Sequence, residues 1–302
     1  MLFSQSLSEN GEGDMVDFNG RVVLITGAGR GLGFAYARCM GQLGAMVLIQ
    51  DIGANSDGKG VDPHIAELAA ETLRLEGLNV HAIPGELASR ESCHNLCRDA
   101  LQVAGRLDAL IHNAGWVAYD NIESIEESSF DHMMAIAAKA PLWLAQAAWP
   151  AMKAAGYGRI IMTTSCRAIY PQYVHNGLAS YAAAKMAVIG LTNVLASEGK
   201  KDGIIVNAIS PVAQTRMWGI EGEPAELHPS EVAPEVAYLA SAECTDGGWI
   251  LRAANGQFHA TKMREAANVD YPRNLRAVKA STAQEVAENW QSIAIPDVEP
   301  RQ

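Results

Sequence analysis

The chain has 302 residues, 49% of them apolar and 19% charged, with a formal net charge of -11. That composition can bury a sizeable core and lies far from the disordered regime, while the negative charge argues against nucleic acid or a membrane surface as partner. Five scattered cysteines, an odd number in a chain large enough to do without staples, point to a reducing, cytoplasmic setting.

Residues 1–18 read as a flexible polar tail, without the basic end and apolar run of a signal peptide. No stretch approaches the roughly 18 apolar residues expected of a membrane span. From residue 21 to about residue 252, apolar runs alternate with amphipathic stretches, the pattern of βα units around a parallel sheet. Seven strands are predicted, at 21–26, 46–51, 79–84, 109–112, 159–164, 204–209 and 249–251. Helices are predicted at 31–43, 63–76, 89–104, 126–155, 179–200 and 233–240. The fold class is therefore α/β, a single doubly wound Rossmann domain over 19–257 with a seven-stranded parallel sheet and helices on both faces. A C-terminal extension, 258–302, carries one predicted helix over 281–293, where Thr282 caps and Glu285 closes a capping box.

The first strand runs directly into Gly27-Ala-Gly-Arg30-Gly31-Leu32-Gly33 and a helix. Glycines at such a junction permit a tight turn, and the free N–H groups at the helix start favour a pyrophosphate. Asp51 ends the second strand, where a carboxylate accepts both ribose hydroxyls of an adenosine and repels the extra phosphate of NADP. NAD is the expected cofactor and NADP the less favoured one, although Arg30 offers a guanidinium that a 2′-phosphate would pair with. Cys93, His94 and Cys97 fall at helical spacing with no second ligand pair nearby, so no metal centre is expected.

The combination Thr26-Gly-x-x-x-Gly31-x-Gly33, Asn113-Ala114-Gly115 and Tyr181-x-x-x-Lys185 resembles the short-chain dehydrogenase/reductase family over residues 19–252. Residues 147–149, 156–162, 181–186 and 189–193 are similar to the hydroxyacyl-CoA dehydrogenase unit of peroxisomal multifunctional enzymes of type 2 and their bacterial single-domain relatives. The resemblance implies that Gly27, Gly31 and Gly33 face the pyrophosphate. It places Glu86 and Leu87 near adenine, Asn113, Ala114 and Gly115 along the ribose, and Pro211, Val212 and Thr215 on the nicotinamide side. It also implies a homodimer or homotetramer and a small alcohol or ketone as substrate, either a 3-hydroxyacyl-CoA or a hydrophobic, steroid-like alcohol.

Tyr181 and Lys185 lie four apart, on one helix face. A phenol titrates near 10, and an adjacent ammonium favours its anion, so Lys185 is expected to make Tyr181 a usable acid or base. The resemblance adds a bond from Lys185 to the nicotinamide ribose. Ser165 ends the fifth strand, placed to hold the substrate oxygen as charge develops. Three features depart from the family pattern. Ser165 and Tyr181 are sixteen residues apart, about three more than the family's usual spacing, with 171–178 the site of insertion. That loop is expected either over the substrate, making Tyr170, Tyr173 and His175 contacts, or as a longer surface turn. Arg167 suits a carboxylate or phosphate on the substrate, or else a salt bridge to a local acid. Ala137 replaces the asparagine that relays protons in many members, which keeps open an NAD-binding regulatory or scaffold subunit with little turnover.

Overall fold

The computed structural model describes residues 16–219, 222, 224–265, 269–275 and 277–294. One compact unit runs to Thr261 and a second, smaller one follows from Lys262. The first unit is an eight-stranded sheet in the order β3-β2-β1-β4-β5-β6-β7-β8. Its first half comprises β1 (Val22–Thr26), α1 (Gly31–Gln42), β2 (Met46–Gln50), α2 (His64–Leu75), β3 (Val80–Ala82), α3 (Arg90–Ala104) and β4 (Ala109–His112). The second half comprises α4 (Glu127–Met134), α5 (Ala140–Ala155), β5 (Gly158–Thr163), α6 (Cys166–Ile169), α7 (Ala179–Gly199), β6 (Ile204–Val212), α8 (Pro229–Ala240), β7 (Ile250–Ala254) and β8 (Gln257–Thr261).

Strand alternation divides the interior into two cores. Val23, Ile25, Val47 and Ile49 face α1, α2 and α8, and Leu24, Leu48, Leu110 and Ile160 face α3, α5 and α7. Both faces of the sheet are covered, as continuous apolar strands require. The order reverses between β1 and β4, so the crevice opens beyond the carboxyl ends of those two strands.

The structure corrects four expectations. The tail ends before Phe18, which is buried and donates its N–H to the Leu43 carbonyl; residues 1–15 lie outside those described. Seven strands are parallel, but Gln257–Thr261 adds an eighth, antiparallel one. Asn255 and Gly256 both have positive φ, 51° and 67°, as a two-residue hairpin turn demands. The long helix predicted at 126–155 is interrupted by a π-helical stretch, Ala135–Lys139, between α4 and α5. Finally, Ala179–Asp202 is long and apolar enough by length and composition to cross a membrane. In this fold it packs Tyr181, Ala184, Lys185, Val188 and Ile189 into the interior.

In the second unit α9 (Ala283–Glu288) and α10 (Trp290–Ile293) replace the single expected helix. Thr282 Oγ1 caps α9 by accepting from Glu285 N, and the Glu285 carboxylate accepts from Ser281 N rather than closing the box on Thr282.

Candidate active site

The first wall of the crevice is the turn from β1 to α1. Its glycines serve different ends. A Cβ on Gly33 would stand 2.2 Å from the Gly27 carbonyl oxygen, and one on Gly27, at φ +62°, would stand 2.7 Å from Ala114 Cα. Both are fixed by backbone packing within the protein. Gly31, at φ +56°, faces the Thr215 side chain, 3.2 Å from where a Cβ would lie. At the start of α1, Arg30 supplies no side-chain cap and the first turn carries no acid. Helix N–H groups left in that state suit an anion.

A groove with about 890 Å³ of empty space runs along this turn, lined by Gly27, Arg30, Gly31, Leu32, Asp51, Leu87, Asn113, Ala114, Gly115 and Thr215 among others. Arg30 donates to the Ala54 carbonyl through Nη2, while its buried Nε has no partner, a polar atom awaiting an acceptor. The residues present thus fit a dinucleotide. Asp51 accepts from Gly29 N at 2.9 Å and Gly53 N at 2.7 Å, one bond to each oxygen, which leaves lone pairs free for ribose hydroxyls.

Not every residue assigned by resemblance lies here. Glu86 is exposed and is not among the groove's lining residues, whereas its neighbour Leu87 is buried and lines it. Pro211 and Val212 also stand outside the lining. Both belong to β6 and pair with Ala253 and Ala254 of β7.

The structure adds Gln50, Trp116, His132, Ile136, Arg216 and Met217 to the groove. Trp116 and Arg216 directly follow Gly115 and Thr215, so adjacency was a usable signal; for His132 there was none. Burial lowers the Arg216 pKa, helped by the charge of Arg30 and opposed by Asp51, which brings two guanidiniums and one carboxylate to the same end of the groove. The loop after β2 folds back over this end. His132 meets the Gly58 carbonyl at 3.3 Å, its ring lies 4.7 Å from the Trp116 ring, and a Cβ on Gly58 would strike Trp116 at 2.4 Å.

Behind the groove, Thr26 and His112 lock the sheet to the interrupted helix. Thr26 Oγ1 accepts from Asn113 N and Ala114 N, each at 3.2 Å, so its own proton goes to His112 Nδ1 at 3.0 Å. The other ring nitrogen, Nε2, then donates to the Ile136 carbonyl at 3.0 Å. Burial, with the charge of Lys185 second, pulls the His112 pKa down to about 3, so the ring is neutral. Ala137 is fully buried one residue beyond that carbonyl and offers only a methyl group.

The substrate wall is carried by β5, α6 and α7. Ser165, Tyr181 and Lys185 converge here: the Ser165 side chain acts on the Tyr181 hydroxyl, lowering its pKa, and Lys185 Nζ lies 5.7 Å from the Tyr181 ring centroid. Lys185 Nζ donates to the Thr163 carbonyl at 3.0 Å and would be 3.7 Å from a Cβ on Gly115, which ties the catalytic side to the groove. The Thr164 hydroxyl donates to the Lys185 carbonyl at 2.7 Å, pinning α7 to the end of β5.

The electrostatics differ from the expectation. Burial raises the Tyr181 pKa, and the groups that oppose this are Ser165, by its hydrogen bond, and Arg167, by its charge. Lys185 lies over the ring face and is not among the groups that shift the Tyr181 hydroxyl, and burial lowers its own pKa from 10.5 to about 8.

Among the described residues Arg167 makes no salt bridge; its guanidinium donates to the Tyr119 hydroxyl. The insertion is anchored on both sides, by Asp120 N donating to Gly177 O at 2.9 Å and by Arg252 stacked on Tyr170 and Tyr173 at 5.0 and 5.5 Å. Tyr173 is 40% exposed and His175 is exposed. The loop is therefore a braced surface turn with Tyr119 beneath it.

A doubly wound sheet with a dinucleotide groove on one side of its switch point, and a serine, tyrosine and lysine on the other, defines a nicotinamide-dependent oxidoreductase acting on CH–OH groups. A family model described as short chain dehydrogenase matches residues 21–223. The chain is 34% identical over 284 residues to the peroxisomal multifunctional enzyme type 2 of Mus musculus, covering 91% of this chain and 37% of that one. It is 31% identical to a short-chain type dehydrogenase/reductase of Mycobacterium tuberculosis, covering 87% and 93%. A crystal structure of a short chain dehydrogenase from Mycobacterium avium superposes with a TM-score of 0.76 at 30% identity, covering 92% and 97%. The chain belongs to the short-chain dehydrogenase family. It spans less than two fifths of the length of the mouse relative.

Proposed function

We propose that the chain interconverts a secondary alcohol and its ketone with NAD as cofactor. The observation that carries this reading is the convergence of Ser165, Tyr181 and Lys185 against Gly115 at the edge of the groove. When bound, the nicotinamide gives or takes the hydride. Tyr181 gives or takes the hydroxyl proton, and Ser165 holds the same oxygen while its charge changes. Lys185, held by Thr163, presents a cation between the tyrosine ring and the ribose side of the groove. Asp51 supports NAD over NADP; Arg30 and Arg216, near the same ribose position, are what a 2′-phosphate would need.

Two substrate classes are those the sequence resemblance implies, 3-hydroxyacyl-CoA thioesters and hydrophobic alcohols. We further propose a homodimer or homotetramer in a reducing, cytoplasmic compartment, supported there by five unpaired cysteines.

The test follows NADH and NADPH absorbance with a panel of alcohols and ketones. Tyr181→Phe is expected to lower kcat by about 10²–10⁴-fold with cofactor affinity kept within a few-fold. Tight NAD binding without turnover by the unmodified chain would instead favour a binding subunit, the reading that Ala137 keeps open. A clear preference for NADPH would overturn the cofactor assignment.

A further inference from the structure

Arg167 leaves α6 two residues after Ser165, and its backbone N–H caps on the Ser165 hydroxyl at 3.2 Å. Its guanidinium donates to the Tyr119 hydroxyl through Nη1. Among the described residues it forms no ion pair, and Nε and Nη2 carry no hydrogen bond. Those two groups form the edge of the guanidinium that presents parallel N–H bonds, the match for a planar carboxylate.

Tyr119 also lines a second cavity, with Trp116, His132, Asp57, Lys59 and Asp120, adjoining the cofactor groove at Trp116 and His132. The other arginine of this wall is engaged, since Arg252 is stacked between Tyr170 and Tyr173. Arg167 is thus a cation two residues from Ser165, braced by a phenol that lines the second cavity, with its recognition edge facing no partner among the described residues. Its charge is also felt at Tyr181, where it opposes the effect of burial.

We infer that Arg167 is a specificity-determining residue that receives a carboxylate of the substrate, so that the preferred alcohol is a hydroxy acid whose carboxylate lies within a few bonds of the reacting carbon. This rests on the dehydrogenase reading and narrows it. A thioester or a steroid-like alcohol carries no charge at that distance, so those classes separate from a hydroxy acid at this one side chain.

The experiment compares 2-hydroxybutyrate, 3-hydroxybutyrate and 4-hydroxyvalerate with their primary amides, using wild type, Arg167→Gln, Arg167→Lys and Tyr181→Phe. For at least one pair, wild type is expected to favour the acid in kcat/KM by about 100-fold, the order of a charge-assisted bidentate contact. In Arg167→Gln that acid-to-amide ratio falls at least tenfold, mainly through KM, and Arg167→Lys restores part of it. A wild-type ratio near one for every pair, an equal loss on acid and amide, or a preference for 3-hydroxybutyl phosphate would overturn the inference.

Calorimetric titration of butyrate and butyramide, with and without NADH, gives a readout that needs no turnover. At least tenfold tighter butyrate binding, lost in Arg167→Gln, supports the carboxylate site; equal affinities overturn it. Carboxylate selectivity without any NAD-linked turnover would remove the dehydrogenase reading alone, and turnover of neutral alcohols without selectivity would remove the arginine inference alone.

Discussion

The glycine turn and the Ser165–Tyr181 cleft share the carboxyl edge of one sheet, yet different forces hold them. At the turn, backbone meets backbone: Gly27 against Ala114 and Gly33 against the Gly27 carbonyl. In the cleft, side chains from β5, α6 and α7 meet through bonds to carbonyls and through burial, with Lys185 on Thr163 and Arg167 on Tyr119. A wall made of close backbone contacts tolerates almost no change in residue type. A wall made of side chains accepts new ones, and here an insertion and an arginine have entered it. The cofactor side is accordingly where the family resemblance is firm, and the substrate side is where this chain acquires its own character.

Lys185→Met separates the two sides most sharply. It removes the cleft's buried cation, so kcat is expected to fall at least about 100-fold. Stability near pH 7 should rise by roughly 1–3 kcal/mol, because an apolar side chain replaces a charge that burial disfavours. The sign follows from linkage. The folded pKa of about 8 lies below the unfolded 10.5, so the folded state binds fewer protons between them, and wild-type stability climbs as pH rises through that window. Denaturant midpoints at pH 7, 9 and 10.5 should show that climb in wild type and its absence in the variant.

Gly33→Ala tests the turn. With a Cβ forced to 2.2 Å from a carbonyl oxygen and 2.7 Å from Ala28 Cα, no flexible side chain can give way. A loss of about 3 kcal/mol in urea unfolding, with weakened cofactor binding, is expected. Retained stability would refute close backbone packing at this turn.

His112→Asn probes the node joining the two sides. The folded pKa of about 3 lies below the ordinary 6.5 of an unfolded histidine, so this ring contributes a loss of stability as pH falls between them. From pH 7.5 to pH 5 that contribution is roughly 2 kcal/mol in wild type and should vanish from the variant's pH dependence, whatever its absolute stability. At the small end, Gly190→Ala on the exposed face of α7 meets no atom within 4 Å and should raise stability by about 0.5–1 kcal/mol through helix propensity. A decrease would locate an unseen contact on that helix.

The alternation of strands and helices, the glycine turn and the Tyr181–Lys185 spacing were legible in order along the chain, because each depends on local period or local sterics. The Asn255-Gly256 hairpin is equally local but went unread, because the exposed, mixed sequence of β8 lacks the apolar pattern of a strand. The roles of Glu86, Pro211 and Val212 came from resemblance alone; in the fold Glu86 is exposed and the other two belong to β6.

By itself, then, the sequence determined the doubly wound architecture, the position of the nucleotide turn and the residues that meet beside it. Only the tertiary structure decided that Lys185 lies over the tyrosine ring, that the Ile136 carbonyl is taken by His112, and that Arg167 rests on Tyr119. The reason is physical. Period and backbone sterics act over a few residues, whereas burial and the partners of a charged group are set by side chains 24 to 48 positions away that the fold brings together.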